Sequence, residues 1–429
     1  MEKTKTNPQT GDLVEVSLVK NSYSGIFLKS PENEKGTILL KLDSGYNIGL
    51  NKKDILDIKI LKKTKEKEEK IEIKKAKEKP NIAMIVTGGT ISSELDSKTG
   101  AVKWLTTPGK LFKFYPEIFE KANITNVEVP FMKGSENLSF SDWQKIARIA
   151  VNLLNDSNIK GIIITHGTDT LHYTAAALSF FLRNLNKPVV LTYSQRSSDR
   201  ASSDASLNLE CAVVAALSDI AEVVIVGHAS SNDDYCYALR GTKTRKLHSS
   251  RRDAFKPVND EPIAKITRKE FIPLSDYKKR NNKKIKPDTS FEEKVALIKF
   301  YPGQNPDILE YYRKKGYKGI VIEMLGLGHV SNSESKKNWA KKVKEIQNKG
   351  IIVCAAAQTI YGRLDPLVYS TGRELLDSGV IYLEDMLAET ALVKLGWVLG
   401  HKEWTKNKDG VRKKMLENIA GEFADRLKE

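Results

Sequence analysis

The chain has 429 residues, 40% of them hydrophobic, a formal net charge of +16, three cysteines and six histidines. That length predicts two to four domains at roughly 100–200 residues each. Cys211, Cys236 and Cys354 are odd in number and far apart, which argues against a disulfide framework, and the histidines form no ligand cluster, so no metal centre is expected.

No run of about 18 apolar residues is available to cross a membrane. The polar start, Met1-Glu-Lys-Thr-Lys-Thr, lacks the apolar core of a signal peptide. The expectation is a cytoplasmic protein with no membrane partner. The cationic surplus suits a polyanionic partner such as RNA. It suits a Lys- and Glu-rich surface equally well.

Residues 1–60 read as a small β module. Gly11–Val19 largely alternates apolar and polar residues, the period of a half-buried strand, and Gly25–Lys29, Gly36–Leu42 and Tyr46–Leu50 are further short apolar-rich runs. Turn formers at Ser30–Asn33 and Asp43–Gly45 separate them, so a small barrel is expected. Residues 61–80 are a charged linker: Leu61–Lys79 holds nine Lys and five Glu, too polar for a core.

From residue 81 the pattern changes to strands alternating with helices. Ile82–Val86, Ile159–Ile164, Pro188–Thr192 and Ala221–Val226 read as buried parallel strands, with helices over Thr170–Asn184 and Leu207–Ser218. This predicts an α/β domain over 81–275. Asp276–Ser290 is a basic linker, and the rhythm restarts in a smaller α/β domain over 291–429. There, Lys294–Phe300, Gly319–Glu323 and Gly350–Cys354 read as strands, and Ile308–Lys315 and Lys337–Lys349 as helices. Leu416, Ile419, Phe423 and Leu427 have the spacing of an amphipathic terminal helix.

Two threonine clusters stand where buried strands end. Thr87-Gly-Gly-Thr90-Ile follows the first strand, and its glycines let the backbone turn sharply and approach a ligand. His166-Gly-Thr168-Asp169-Thr170 follows the second, at the start of a helix whose free N–H groups favour an anion. Singly, these are a turn and a helix cap. Together they would open on one sheet edge, where α/β proteins bind ligands. A hydroxyl nucleophile needs a base. A neutral lysine would serve, if neighbours lower its pKa from about 10.4. The cation-rich stretch Leu239–Phe255 offers both Lys243 and Lys246, and the residues alone do not choose between them.

The two threonine motifs resemble the paired signatures of bacterial-type L-asparaginases and related amidohydrolases. The resemblance runs from about residue 81 to the end. It implies two asparaginase-like α/β domains with an active site between them, completed by a neighbouring protomer of a homodimer. By the same resemblance, Thr90 attacks the amide carbon, and Thr168, Asp169 and Lys246 form a second catalytic set. Lys246 is chosen because it lies nine residues before Phe255. Asp169 would also hold the substrate α-ammonium. In Gly134-Ser135-Glu136-Asn137, Ser135 matches a substrate-carboxylate contact, and Glu136, Gly89 and Gly167 are carried over as substrate-binding positions. The loop Ser92–Ala101 lacks the catalytic tyrosine that some asparaginases carry there.

A small N-terminal β-barrel, SH3-like, ahead of such domains is similar to the archaeal, asparaginase-like branch of glutamyl-tRNA(Gln) amidotransferases. Ser194–Asp204 and Lys246–Phe255 look like that branch's local signatures. That resemblance implies ammonia released from glutamine or asparagine, and a partner E subunit that uses ATP and Mg to amidate Glu-tRNA(Gln). It also implies a heterotetramer, two copies of this kind of chain with two E subunits, and no cofactor bound by this chain. No Gly-x-x-x-x-Gly-Lys-Ser/Thr loop occurs here. A free-standing cytoplasmic L-asparaginase is the alternative, and it leaves residues 1–60 without a purpose.

Overall fold

The structure, a computed structural model, describes residues 7–28, 36–42, 47–63, 76, 78–95, 102–104, 115–197 and 203–426. The turns expected at 30–33 and 43–45, most of the charged linker, the loop 96–101, part of the 194–204 signature and Leu427 lie outside these residues.

The first unit is a five-stranded antiparallel sheet of β1 (Leu13–Leu18), β2 (Ser22–Leu28), β3 (Thr37–Lys41), β4 (Asn47–Asn51) and β5 (Ile55–Lys62), ordered β4-β3-β2-β1-β5. Val14, Val16, Ile38, Leu40 and Leu50 form its core. β5 is not legible in the sequence and overlaps the expected start of the linker. Its irregularly spaced Ile55, Ile58 and Ile60 gain their meaning only from pairing with β1 and packing on that core. A β4–β5 pairing, which would close an SH3-like barrel, is not among the pairings of the described residues.

Next come β6 (Asn81–Val86), the hairpin β7 (Ser93–Leu95) and β8 (Val102–Trp104), β9 (Asn123–Glu128), β10 (Ile159–Thr165), β11 (Leu182–Arg183), β12 (Val189–Thr192) and β13 (Val223–His228). β14 (Cys236–Arg240), β15 (Thr244–Lys246), β16 (Phe255–Pro257), β17 (Ala264–Ile266) and β18 (Phe271–Pro273) follow. Eight of these build one sheet, ordered β18-β17-β14-β13-β12-β10-β6-β9, and β9, β6, β10, β12 and β13 run parallel. Three helices cover it: α1 (Phe140–Leu154), α2 (Leu171–Phe181) and α3 (Ala205–Leu217).

The central strands β6, β10, β12 and β13 are largely apolar because both faces are covered. Ile82, Met84 and Val86 share a core with Leu209, Val213 and Ala216 of α3, whereas Ala83 and Ile85 share one with Ile146 of α1 and Leu178 of α2. α1, β9 and β14–β18 have no counterpart among the sequence expectations. Asn123, Asn126 and Glu128 dilute the apolar signal of β9, and β15–β18 have three residues each.

The last unit is a parallel sheet of β20 (Val295–Lys299), β21 (Gly319–Met324), β22 (Ile352–Ala357) and β23 (Ile381–Tyr382), preceded by β19 (Lys286–Pro287). Its helices are α4 (Asp307–Lys314), α5 (Trp339–Asn348), α6 (Ser370–Asp377), α7 (Ala388–Leu399) and α8 (Lys408–Leu416). α7 is the shared wall between the two α/β units. Ala391, Leu395 and Trp397 lie in one continuous core with α2, and Trp397 stacks on Phe180 at 5.6 Å.

Two sequence expectations change here. The terminal helix stops at Leu416, and Glu417 is extended at φ −73°, ψ 124°. Ile419 and Phe423 still pack on the core, but in an irregular tail. Its backbone N–H groups at 419 and 420 donate to Glu422, whose carboxylate pairs at 2.6 Å with the fully buried Lys394. That buried pair, unlike helical hydrogen bonds, needs a bent chain.

The basic stretch 276–290 is likewise fastened rather than loose. Ile285 is buried, Lys286–Pro287 pairs with Leu182–Arg183, and Arg280 donates to the carbonyls of Ser218 and Lys160 at 2.7 and 2.6 Å.

Candidate active site

β6 and β10 are parallel neighbours in register, with Val86 beside Thr165. The two threonine motifs therefore emerge side by side. Thr87 is tied to β10 twice: its N–H donates to the Thr165 carbonyl at 3.2 Å and its hydroxyl to the same oxygen at 2.7 Å. Ser92 Oγ lies 3.2 Å from Thr165 Oγ1.

Glycine is required at this junction. Gly88 and Gly89 have φ of 111° and 80°, in the left-handed region. A Cβ on Gly89 would come within 2.4 Å of the Gly167 backbone, and one on Gly88 within 2.4 Å of the Lys133 carbonyl oxygen. Gly89 then caps a short turn that begins at Thr90 and presents its half-buried side chain at the mouth of the sheet. The Thr90 hydroxyl has no hydrogen-bond partner among the described residues.

The second motif meets a third segment. Ser135, buried, accepts at Oγ from the N–H groups of Asp169 and Thr170 at 3.2 and 3.4 Å, and Thr170 Oγ1 donates to the Ser135 carbonyl at 2.7 Å. Gly167 is packed so closely that an added Cβ would lie 2.8 Å from Ser135 Oγ. Glu136 is exposed, and among the described residues it accepts only from its neighbour, Asn137 Nδ2, at 3.1 Å.

His166 points inward and plays a scaffolding part. Its Nδ1 is 2.7 Å from the Gly167 carbonyl and its Nε2 2.9 Å from Thr174 Oγ1. Burial pushes its pKa down to about 4, so the ring stays neutral.

Lys243 and Lys246 separate cleanly. Lys246 Nζ donates to Thr168 Oγ1 at 2.8 Å and to Asp169 Oδ1 at 2.7 Å. Lys243 is buried and ion-paired with Asp385 of the last unit. The structure thus gathers Thr168, Asp169 and Lys246 into one bonded set, fastens Ser135 to its edge, and sets Gly89, one residue before Thr90, against Gly167.

A second polar cluster lies behind Lys246, and sequence reasoning does not find it. Arg245 Nε lies 2.9 Å from Glu389 Oε1, and His172 Nε2 lies 4.0 Å from the same oxygen. Glu389 is far along the chain from both threonine motifs, and no spacing rule connects them. Among the described residues no group of three or more His, Cys, Asp or Glu side chains could hold a metal.

Three family models cover almost the whole chain. The GatD N-terminal domain matches residues 9–61, the N-terminal asparaginase domain 81–276, and the glutaminase/asparaginase C-terminal domain 294–415. The glutamyl-tRNA(Gln) amidotransferase D subunit of Thermococcus kodakarensis is 49% identical over 424 residues, covering 96% of this chain and 94% of that protein. The chain belongs to the family of glutamyl-tRNA(Gln) amidotransferase D subunits.

The protein of the same name from Pyrococcus furiosus is 47% identical over 426 residues, covering 97% and 95% of the two chains. Among solved structures, the thermostable L-asparaginase from Thermococcus kodakarensis matches with a TM-score of 0.71 at 30% identity, over 81% of this chain and 100% of that one. L-asparaginase I from Vibrio cholerae matches at 0.66 and 28% identity, covering 81% and 99%. The part beyond the asparaginase fold is the part that the amidotransferase relatives share, which favours the amidotransferase reading over a free-standing asparaginase.

Proposed function

We propose that this chain is the amidohydrolase component of a tRNA-dependent amidotransferase, releasing ammonia from glutamine, or from asparagine, for a partner that amidates Glu-tRNA(Gln). The near full-length match to the amidotransferase relatives carries this reading. In the reaction, Thr90 Oγ attacks the carboxamide carbon and forms a threonyl ester. The C–N bond breaks and the nitrogen leaves as ammonia after taking up a proton. Water then attacks the ester, giving glutamate and restoring Thr90.

Lys246, bonded to Thr168 and Asp169, is the proton-handling group. Asp169, with its side chain 65% exposed, holds the substrate ammonium. The backbone at Gly89, Gly167 and Ser135 shapes the pocket, with Glu136 at its exposed rim.

The partner is an ATP- and Mg-using E subunit in a heterotetramer of two copies of each chain, with the two copies of this chain paired through their asparaginase-like domains. The relatives are themselves named as components of a larger enzyme, which supports a multichain assembly. So does a run of exposed apolar residues on the last unit, Ile360, Tyr361, Leu367, Val368 and Tyr369. No helix among the described residues is long and apolar enough to cross a membrane.

The test uses the chain co-purified with its partner. Thr90→Ala is expected to abolish Gln-tRNA formation from ¹⁵N-amide-labelled glutamine while leaving amidation by added ammonium intact. Glutamine-dependent transfer that survives the substitution would remove Thr90 from the mechanism. Rapid asparagine turnover by the chain without partner or tRNA would favour the free-standing enzyme.

A further inference from the structure

Lys246 sits at the end of a weak support. Among the described residues β15 pairs only with β16, through Thr244–Pro257, Arg245–Lys256 and Lys246–Phe255, and a ribbon of two three-residue strands does not hold itself in place. Besides contacts within its own unit, such as Phe255 against Tyr193, it is held by the start of α7 and the loop just before it, from the other α/β unit. Thr390 Oγ1 donates to the Thr242 carbonyl at 2.9 Å, Asp385 pairs with Lys243, and Glu389 Oε1 takes Arg245 Nε at 2.9 Å. Along a strand successive side chains point to opposite sides. The same turn of backbone that sends Arg245 to Glu389 therefore sends Lys246 towards Thr168 and Asp169.

The Glu389 cluster is poorly built as a mere strut. Glu389 and His172 are both buried, yet Glu389 Oε2 and His172 Nδ1 have no hydrogen-bond partner among the described residues. Buried polar atoms left this way cost stability. His172 does not repay Glu389 with charge. Burial, reinforced by Arg245 and Lys246, pushes its pKa down to about 3. Arg245 is thus the cation that fixes Glu389, and Glu389 the anion that fixes Arg245.

We infer that Glu389 is a positioning residue for Lys246, acting through Arg245, so that the C-terminal α/β unit sets the aim of a lysine carried by the N-terminal one. This rests on the reading of Lys246 given above. Holding a reacting group by charges one residue away is the kind of support whose loss costs about 10–100-fold in activity.

The test is steady-state glutamine hydrolysis by the full chain with its partner, comparing wild type, Glu389→Gln, Glu389→Ala, Lys246→Met and Lys246→Arg, each with a thermal melt. Glu389→Gln and Glu389→Ala are expected to lower kcat roughly 10-fold or more with KM changed less than about 2-fold, the pattern of an interaction that matters in the transition state. The Glu389→Gln protein stays folded at the assay temperature. In a Lys246→Arg background, Glu389→Gln should cost much less than in wild type, because the two substitutions act on one aim.

Wild-type kcat in the Glu389 variants overturns the inference, as does the same fold loss in both backgrounds. If Glu389→Ala fails to fold, Glu389→Gln decides alone. Full turnover in Lys246→Met would instead sink the reading of Lys246 itself.

Discussion

Lys243 and Lys246 stand three residues apart on the same stretch of chain, yet the regions they occupy ask opposite things of an ammonium group. At Lys243 the group is 1% exposed against an Asp385 carboxylate that is 0% exposed, and Asp385 also accepts the Ala424 N–H at 3.2 Å. Everything around it is arranged to be satisfied and still. At Lys246 the partner Asp169 is 65% exposed and the other contact is a hydroxyl, so the group is held by partners that solvent can replace. The difference teaches how one short ribbon serves two ends. Its inner residues lock the two α/β units together, and its outermost lysine, in the role proposed for it, would borrow that rigidity for chemistry.

Substitution at the two lysines sharpens this comparison most. Lys246→Met should lower glutamine hydrolysis roughly 10³-fold or more while costing far less stability than Lys243→Met, because the carboxylate it leaves behind, Asp169, is 65% exposed and stays solvated. Lys243→Met should do the reverse in kind, costing about 3–5 kcal/mol in a denaturant titration by stranding the buried Asp385. Comparable stability losses at both sites would break the distinction.

Acid should strain the site's scaffold next. His166 has a folded pKa of about 4 against an unfolded value near 6.5. Between those values the unfolded chain binds the proton and the folded chain does not, so stability falls as pH falls through that window, by on the order of 3 kcal/mol in all. His166→Gln should flatten the slope in melts from pH 6.5 to 4.

The smallest effect lies at the other end of α7. Burial opposes the charged form of His401, but its hydrogen bond to Asp288 at 2.6 Å and its contact with the Trp397 carbonyl outweigh burial and raise the pKa. A raised folded pKa stabilises fully below the unfolded value of about 6.5, and the contribution disappears as pH rises through the folded value. His401→Gln should therefore cost more stability at pH 5.5 than at pH 8.5. An equal cost at both would show that the ring, not its charge, matters.

Legibility followed period and length. Apolar runs that follow a glycine, such as Ile162–Ile164 and Ile320–Ile322, are readable because strands covered on both faces have no polar side to show. β5 is not, since its irregular isoleucines gain meaning only from pairing with the distant β1, and β15–β18 are not, since three residues are too few to show a period. The terminal residues show the converse error. Helical spacing at Leu416, Ile419 and Phe423 is real, but the Lys394–Glu422 pair bends the chain instead. The threonine motifs were visible because two glycine-rich strand ends carry hydroxyls in tandem. The choice between Lys243 and Lys246 is fixed by a family resemblance or by the tertiary structure, because both are lysines in one cationic run.

What the sequence determined by itself was therefore local: the buried strands, the turns that glycine permits at Gly88 and Gly89, and the hydroxyls and carboxylate placed just beyond them. Tertiary structure alone decided which lysine meets Thr168 and Asp169, and that Glu389 stands behind it. The physical reason is distance along the chain. Backbone preferences act over a few residues, whereas an ion pair such as Arg245–Glu389 exists only once α7, more than 140 residues further along the chain, has packed against the unit that carries Lys246.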